Sequence, residues 1–216
     1  MPLPSDVDRP RLVQGRFRIL TVCTGNVCRS PQAAGLLRAR LPLLLGPDVT
    51  DLLTIESAGT RGLEGSPLDD QAAGEAVRMG VFDVDAHRAR QLTRSLVERA
   101  DLVLGLERAH RGAAVELDPS ANRRAFTLTE FAAVLETLVP AQDVPVPGHG
   151  AVLQAFLADV VAAATAARGG VAASQSINYD IEDPYQRETR AYRRSAGAIE
   201  AAVDSIVRRL GALAGS

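Results

Sequence analysis

The stretch from Arg16 to Pro31 constrains this chain more than any other. Arg16-Phe17-Arg18-Ile19-Leu20-Thr21-Val22 is rich in apolar and β-branched residues and reads as a strand. It runs into the turn signal Cys23-Thr24-Gly25-Asn26, and Ser30-Pro31 then opens a helix, with Ser as N-cap and Pro at the first helical position. A strand that passes into a helix through so short a loop belongs in a parallel α/β sheet. The functional loops of such sheets lie at the carboxyl ends of the strands.

The rest of the chain keeps the alternation. Ala33, Ala34, Leu37 and Leu41 carry the first helix to Pro42, which should stop it. Further strands are expected at Leu53 to Ala58, Asp101 to Leu106 and Ala125 to Leu128. Helices are expected from Ser66-Pro67 to Met79-Gly80, and over Thr93 to Ala100, Glu107 to Leu117 and Glu130 to Val139. Pro140 to Gly150 interrupts the pattern, and an Ala-rich helix follows that Gly169-Gly170 should end. The last helix, Glu188 to Leu213, places Tyr192, Ile199, Val203, Ile206 and Leu210 on one face. The fold class expected is a three-layer α/β/α sandwich on a four-stranded parallel sheet, with the anion-binding loop after strand 1. Residues 1–15 read as a flexible tail and 16–216 as a single domain.

Composition excludes several classes. At 216 residues, 46% hydrophobic and 23% charged, the chain is long enough for one globular core. All 24 basic residues are Arg, so a Walker-lysine NTPase, a Schiff-base enzyme and a kinase-type lysine are out. A net charge of −2 argues against a nucleic-acid partner met through a broad basic surface. The cysteines are only Cys23 and Cys28, which suits a reducing compartment. The start, Met1 to Asp6, has no apolar signal-peptide core. The Ala-rich run Ala151 to Ala167 is too short for a membrane span and carries Gln154 and Asp159. The expectation is a cytoplasmic protein with no membrane partner.

The loop after the first strand carries the chemistry. Successive backbone N–H groups ahead of a helix form an anion nest, and the helix dipole adds to it. Gly25 and Asn26 are residue types that accept left-handed backbone, which a wrapped loop needs. Arg29 brings a planar fork suited to phosphate oxygens. Cys23 stands where the same field favours the thiolate, the nucleophilic form of the side chain. Together these specify attack on a bound tetrahedral oxyanion. No metal is expected, because the Cys-x₄-Cys spacing and the scattered His87, His110 and His149 do not make a ligand set. No other cofactor is implied.

Cys23 to Pro31, CTGNVCRSP, resembles the signature loop of the low-molecular-weight protein tyrosine phosphatases. The resemblance continues through Glu56-Ser57-Ala58-Gly59-Thr60, His87 to Thr93 and Ala100 to Leu104, and resumes at Asp183-Pro184-Tyr185. It implies that Cys23 attacks phosphorus to form a phosphocysteine. It implies also that Arg29 and the loop amides of Thr24, Gly25, Asn26, Val27, Cys28 and Ser30 hold the phosphoryl oxygens, with Ser30 hydrogen-bonding the thiolate. Asp183 would be the general acid and then the base for water. Asn26, Ser57 and His87 match loop-bracing positions, and Cys28 matches a cysteine that can pair with the nucleophile on oxidation. Tyr185 would form one wall of an aromatic slot, with Leu63 opposite, where animal members have a second aromatic. That is similar to bacterial members acting on tyrosine autokinases, so the implied partner is a phosphotyrosyl protein, with a bacterial tyrosine kinase as one candidate.

Two departures carry alternatives. Protein-arginine phosphatases of the family have Thr where this chain has Val27, and Val27 is nearer the Ile of tyrosine-specific members. An arsenate reductase of the same fold remains open in a version resolved by a small thiol, because no further cysteines exist for a relay. A silent phosphate-binding module would be expected to lack Cys23, Arg29 or Asp183, and all are present. The second departure is an insertion at about 140–178, ahead of the Asp-Pro loop. Its helix, with Val152, Phe156, Val160 and Ala163 on one face, is expected to pack beside the general-acid loop and influence substrate choice.

Overall fold

The computed structural model describes residues 16–45, 49–139, 150–174 and 178–214. The tail expected over 1–15 and the Pro/Gly-rich break over 140–149 lie outside them, as does the side chain of Val152. Four strands, β1 (Phe17–Cys23), β2 (Leu53–Gly59), β3 (Leu102–Gly105) and β4 (Ala125–Thr127), form one sheet in the order β2-β1-β3-β4. Every pairing is parallel, with Ile19 level with Ile55 on one side and with Leu102 on the other. The helices are α1 (Arg29–Leu45), α2 (Val49–Leu52), α3 (Asp70–Arg78), α4 (Arg94–Glu98), α5 (Arg108–Leu117), α6 (Leu128–Thr137), α7 (Gly150–Ser174) and α8 (Thr189–Ala214). The chain leaves β1 toward β2 on one side and enters β3 on the other. A topological switch point therefore opens at the carboxyl end of β1, beside β3.

Strand alternation sorts the core into two layers. Phe17, Ile19 and Cys23 of β1 face a cluster that includes residues of α1, α3, α6, α7 and α8. Leu20 and Val22 face a smaller one with Leu96 and Val97 of α4 and Ala114 of α5. The predicted face of α8 is confirmed: Tyr192, Ile199, Val203, Ile206 and Leu210 are all buried. A capping box between Thr127 and Glu130 starts α6 directly at the end of β4, two residues earlier than expected.

Several boundaries differ from the sequence expectation. Pro42 lies inside α1, which runs on to Leu45. The first helix opens at Arg29, so Ser30 is a helical residue whose hydroxyl is turned to Cys23 rather than to a cap. Asp69, not Ser66, caps α3, its carboxylate accepting from the N–H groups of Gln71 and Ala72. Gly169-Gly170 does not end α7, which continues to Ser174.

The insertion helix also sits elsewhere than expected. Leu153, Phe156, Leu157, Val160, Val161 and Ala164 of α7 are buried, while Ala163 is exposed. Leu157, Val160 and Val161 meet Phe17, Leu53 and Leu102, the first residues of β1, β2 and β3, around a void of about 20 Å³. Near its other end Arg168 pairs with Glu130 at 3.0 Å and stacks 3.8 Å from the Phe126 ring centre. An aliphatic stripe needs apolar partners, and the amino ends of the strands supply them. Among the described residues, no helix is long and apolar enough to cross a membrane.

Candidate active site

The loop from Cys23 to Arg29 is shaped by where its carbonyl groups go. Cys23 O accepts from Thr60 N at 2.9 Å, Thr24 O from Arg61 N at 2.9 Å and Gly25 O from Leu63 N at 3.0 Å. Asn26 O accepts from His87 Nε2–H at 2.7 Å, and Val27 O from Asp69 N at 2.9 Å. With consecutive carbonyls held outward by the surrounding loops, the intervening amides turn toward the loop centre, which is how a backbone nest binds an anion. Asn26 accepts φ of +57° to make the bend, as its residue type suggested. Gly59 permits the close approach of β2, since a Cβ there would lie 2.4 Å from Thr24 O.

Asn26 is satisfied through its whole amide. Its Nδ2 donates to Ser30 Oγ at 3.0 Å and to Ser57 Oγ at 2.9 Å, and its Oδ1 accepts from Arg90 N at 2.9 Å. Ser30 Oγ accepts from Asn26, and its own hydrogen has two acceptors in reach, Ala58 O at 3.3 Å and the Cys23 sulfur. Cys23 Sγ lies 3.0 Å away, and Asn26 N–H also donates to that sulfur at 3.3 Å. Donors placed in this way favour negative charge on sulfur. The expected bracing group of Asn26, Ser57 and His87 is therefore assembled around the loop. Burial holds His87 below its ordinary pKa, so the neutral ring donates through Nε2.

Arg29 is 1% exposed and held on several sides. Its Nη1 donates to Glu107 and, at 2.8 Å, to Ile181 O, while Nη2 meets Asp183 Oδ2 at 2.6 Å. A buried guanidinium with carboxylates beside it is fixed in place, which suits a planar clamp for phosphoryl oxygens. Glu107 escaped the sequence reading, although its place just after β3, at the switch point, is the signal that could have found it. His110 was missed as well. Its Nε2 lies 3.0 Å from Thr24 Oγ1, and burial, with Arg29 nearby, pushes its pKa down to about 4. The ring is therefore neutral at neutral pH and can donate to or accept from Thr24.

A pocket of about 210 Å³ opens on Cys23, Thr24, Gly25, Val27, Cys28, Arg29, Arg61, Leu63, Asp183 and Tyr185. It gathers both ends of the chain: Asp183 and Tyr185 arrive from the turn before α8, which is anchored where Ile181 N donates to Leu106 O at 2.9 Å. Leu63 and Tyr185 are 40% and 39% exposed, as walls of an open slot would be. Asn26 and Ser30, expected among the substrate-binding residues, do not line the pocket, and with Ser57 and His87 they stand behind it. Cys28 is a free, buried thiol, and burial together with Asp69 pushes its pKa up, so it stays protonated. Among the described residues no cluster of His, Cys, Asp or Glu is placed to hold a metal.

Comparison with known proteins agrees with this geometry. Residues 18–164 match the family model for low molecular weight phosphotyrosine protein phosphatase. A probable low molecular weight protein-tyrosine-phosphatase, EpsP of Ralstonia solanacearum, is 30% identical over 195 residues, covering 90% of this chain and 97% of that one. Etp of Escherichia coli K12, a low molecular weight protein-tyrosine-phosphatase, is 41% identical over 92 residues, 43% of this chain and 55% of its own length. Among solved structures, the YwlE arginine phosphatase from Geobacillus stearothermophilus superposes with a TM-score of 0.61 at 26% identity, over 90% of this chain and 92% of that one.

Proposed function

The chain belongs to the low molecular weight phosphotyrosine protein phosphatase family, and from that premise we propose that it hydrolyses phosphotyrosine on proteins through a phosphocysteine on Cys23. The observation that carries the proposal is the loop whose carbonyls from Cys23 to Val27 are all bonded to the surrounding segments, with Cys23 and Arg29 lining the same pocket. In the first step Cys23 Sγ attacks phosphorus, the S–P bond forms and the bond to the tyrosyl oxygen breaks. Asp183 supplies the proton to that leaving oxygen. In the second step Asp183 takes a proton from water, the water oxygen attacks phosphorus, and the S–P bond breaks. Ser30 Oγ–H and Asn26 N–H receive the departing thiolate, and inorganic phosphate leaves.

Asp183 and the phosphoryl group compete for the same guanidinium. Arg29 Nη2 holds Asp183 Oδ2 at 2.6 Å. A phosphoryl oxygen entering the nest takes over that fork and releases Asp183 toward the leaving oxygen above it. The pocket supports an aryl ester in particular. Val27, Leu63 and Tyr185 line it with apolar surface, and Val27 offers no hydrogen bond to a guanidinium leaving group. Likeness to an arginine phosphatase makes phosphoarginine the comparison that matters most.

The test measures phosphate release from an aryl phosphate, a phosphotyrosyl peptide and a phosphoarginyl peptide. Arsenate reduction with small thiols is followed in parallel. Hydrolysis of the first two, with slow release from the third and no arsenate turnover, is expected. A preference for phosphoarginine, or arsenate reduction without ester hydrolysis, would overturn the proposal.

A further inference from the structure

We propose that Arg61 forms a subsite for an acidic side chain next to the phosphotyrosine, so that acidic phosphopeptides are the preferred substrates. The inference rests on the phosphatase reading and refines its substrate class. Arg61 lines the mouth of the pocket, between Cys23 and Arg29 at the base and Leu63 and Tyr185 at the walls. It is exposed, and its guanidinium has no hydrogen bond or ion pair among the described residues.

That lack of a partner separates it from the arginines of neighbouring segments. Arg29 is held by Glu107 and Asp183, Arg90 by Glu56 at 3.1 Å, and Arg108 by Asp180 at 2.9 Å. Arg187 and Arg194 both engage Glu182, at 3.2 Å and 3.1 Å. Arginine side chains near carboxylates pair readily, so the one left uncommitted at a pocket mouth is the one available to substrate.

The backbone that carries Arg61 is fixed. Its N–H donates to Thr24 O, and the next residue is pinned where Gly62 N donates to Gln91 Oε1 at 2.8 Å. A Cβ at Gly62 would fall 2.4 Å from Arg90 O, so the turn is packed against its neighbour. The Arg61 stem therefore leaves from a defined point on the rim and only its flexible end must order on binding. Glu64, exposed on the same turn, is not among the residues that line the pocket. An acidic side chain flanking the phosphotyrosine would meet Arg61 before it met another unpaired charge of the pocket.

The test compares kcat/KM for three phosphotyrosyl peptides that differ only in flanking residues: acidic, neutral and basic. The native chain should favour the acidic over the neutral peptide by roughly threefold to fivefold at low ionic strength, the scale of one exposed ion pair. High salt should erase that ratio. Arg61→Gln should bring it near one, and Arg61→Glu should invert it toward the basic peptide. Equal rates on all three peptides in the native chain, or an acidic preference that survives in Arg61→Glu, would overturn the proposal while leaving the phosphatase reading intact. Failure to hydrolyse any of the peptides or an aryl phosphate would instead sink the reading beneath it.

Discussion

The two ends of the sheet are held by different forces. At the carboxyl ends of β1 and β3 the chain is set by directional bonds: outward carbonyls, a fully used Asn26 amide, and Arg29 between carboxylates. At the amino ends it is set by aliphatic contact, with Leu157, Val160 and Val161 of α7 against Phe17, Leu53 and Leu102. Hydrogen bonds fix angles as well as distances, whereas apolar burial is non-directional and tolerates rearrangement. The end that must hold reacting atoms in register uses the first kind, and the end that only needs to exclude water uses the second. Substitutions at the two ends should therefore separate activity from stability.

The largest effect is expected for Cys23→Ser. Turnover of an aryl phosphate should fall by a factor on the order of 10⁴ or more, as for loss of a covalent nucleophile, with the melting temperature little changed. Residual activity near the parent level would remove Cys23 from the covalent role. Next in size is Asp183→Asn, measured over esters with leaving groups of graded basicity. The loss should be on the order of 10²–10⁴ for a poor leaving group and small for a good one. A uniform loss across the series would show that Asp183 does not protonate the leaving oxygen.

A matched pair tests the contrast between the ends directly. Leu157→Ala should cost roughly 2–5 kcal/mol of unfolding free energy and leave kcat at low temperature unaltered. Asn26→Ala strands Ser30, Ser57 and Arg90 N, so it should cost about 1–3 kcal/mol and also depress kcat steeply. If chemical denaturation and kinetics showed the same ratio of stability to activity loss for both, the division between the ends would be wrong.

The smallest effect concerns His110. Its pKa falls from 6.5 to about 4 on folding, so between those values the unfolded chain binds more protons than the folded one. Stability contributed by this group is present above 6.5 and is lost as pH falls toward 4. His87, also lowered, acts in the same direction. His110→Gln can keep a hydrogen bond to Thr24 and should make the decline of melting temperature across this window shallower. Parallel curves for parent and variant would mean that His110 does not contribute to it.

Much of the site could be read along the chain because it is local. Cys23 to Ser30 are contiguous, and a strand, a turn and a helix start around them are short-range signals. The alternation of apolar runs also determined the parallel α/β class, since each strand and helix must bury one face. Tertiary structure alone decided what stands around the loop. Glu107 and His110 reach Arg29 and Thr24 from the next strand's end, and the pairing depends on the order β2-β1-β3-β4, which no single segment encodes. The same holds for α7. Its stripe announced that it would be buried, but several apolar surfaces could have received it. Only the assembled sheet, with Phe17, Leu53 and Leu102 gathered at its amino end, selected which one did. Local chemistry is written in neighbouring residues; long-range partnership is fixed when non-adjacent strands come together and leave one matching surface open.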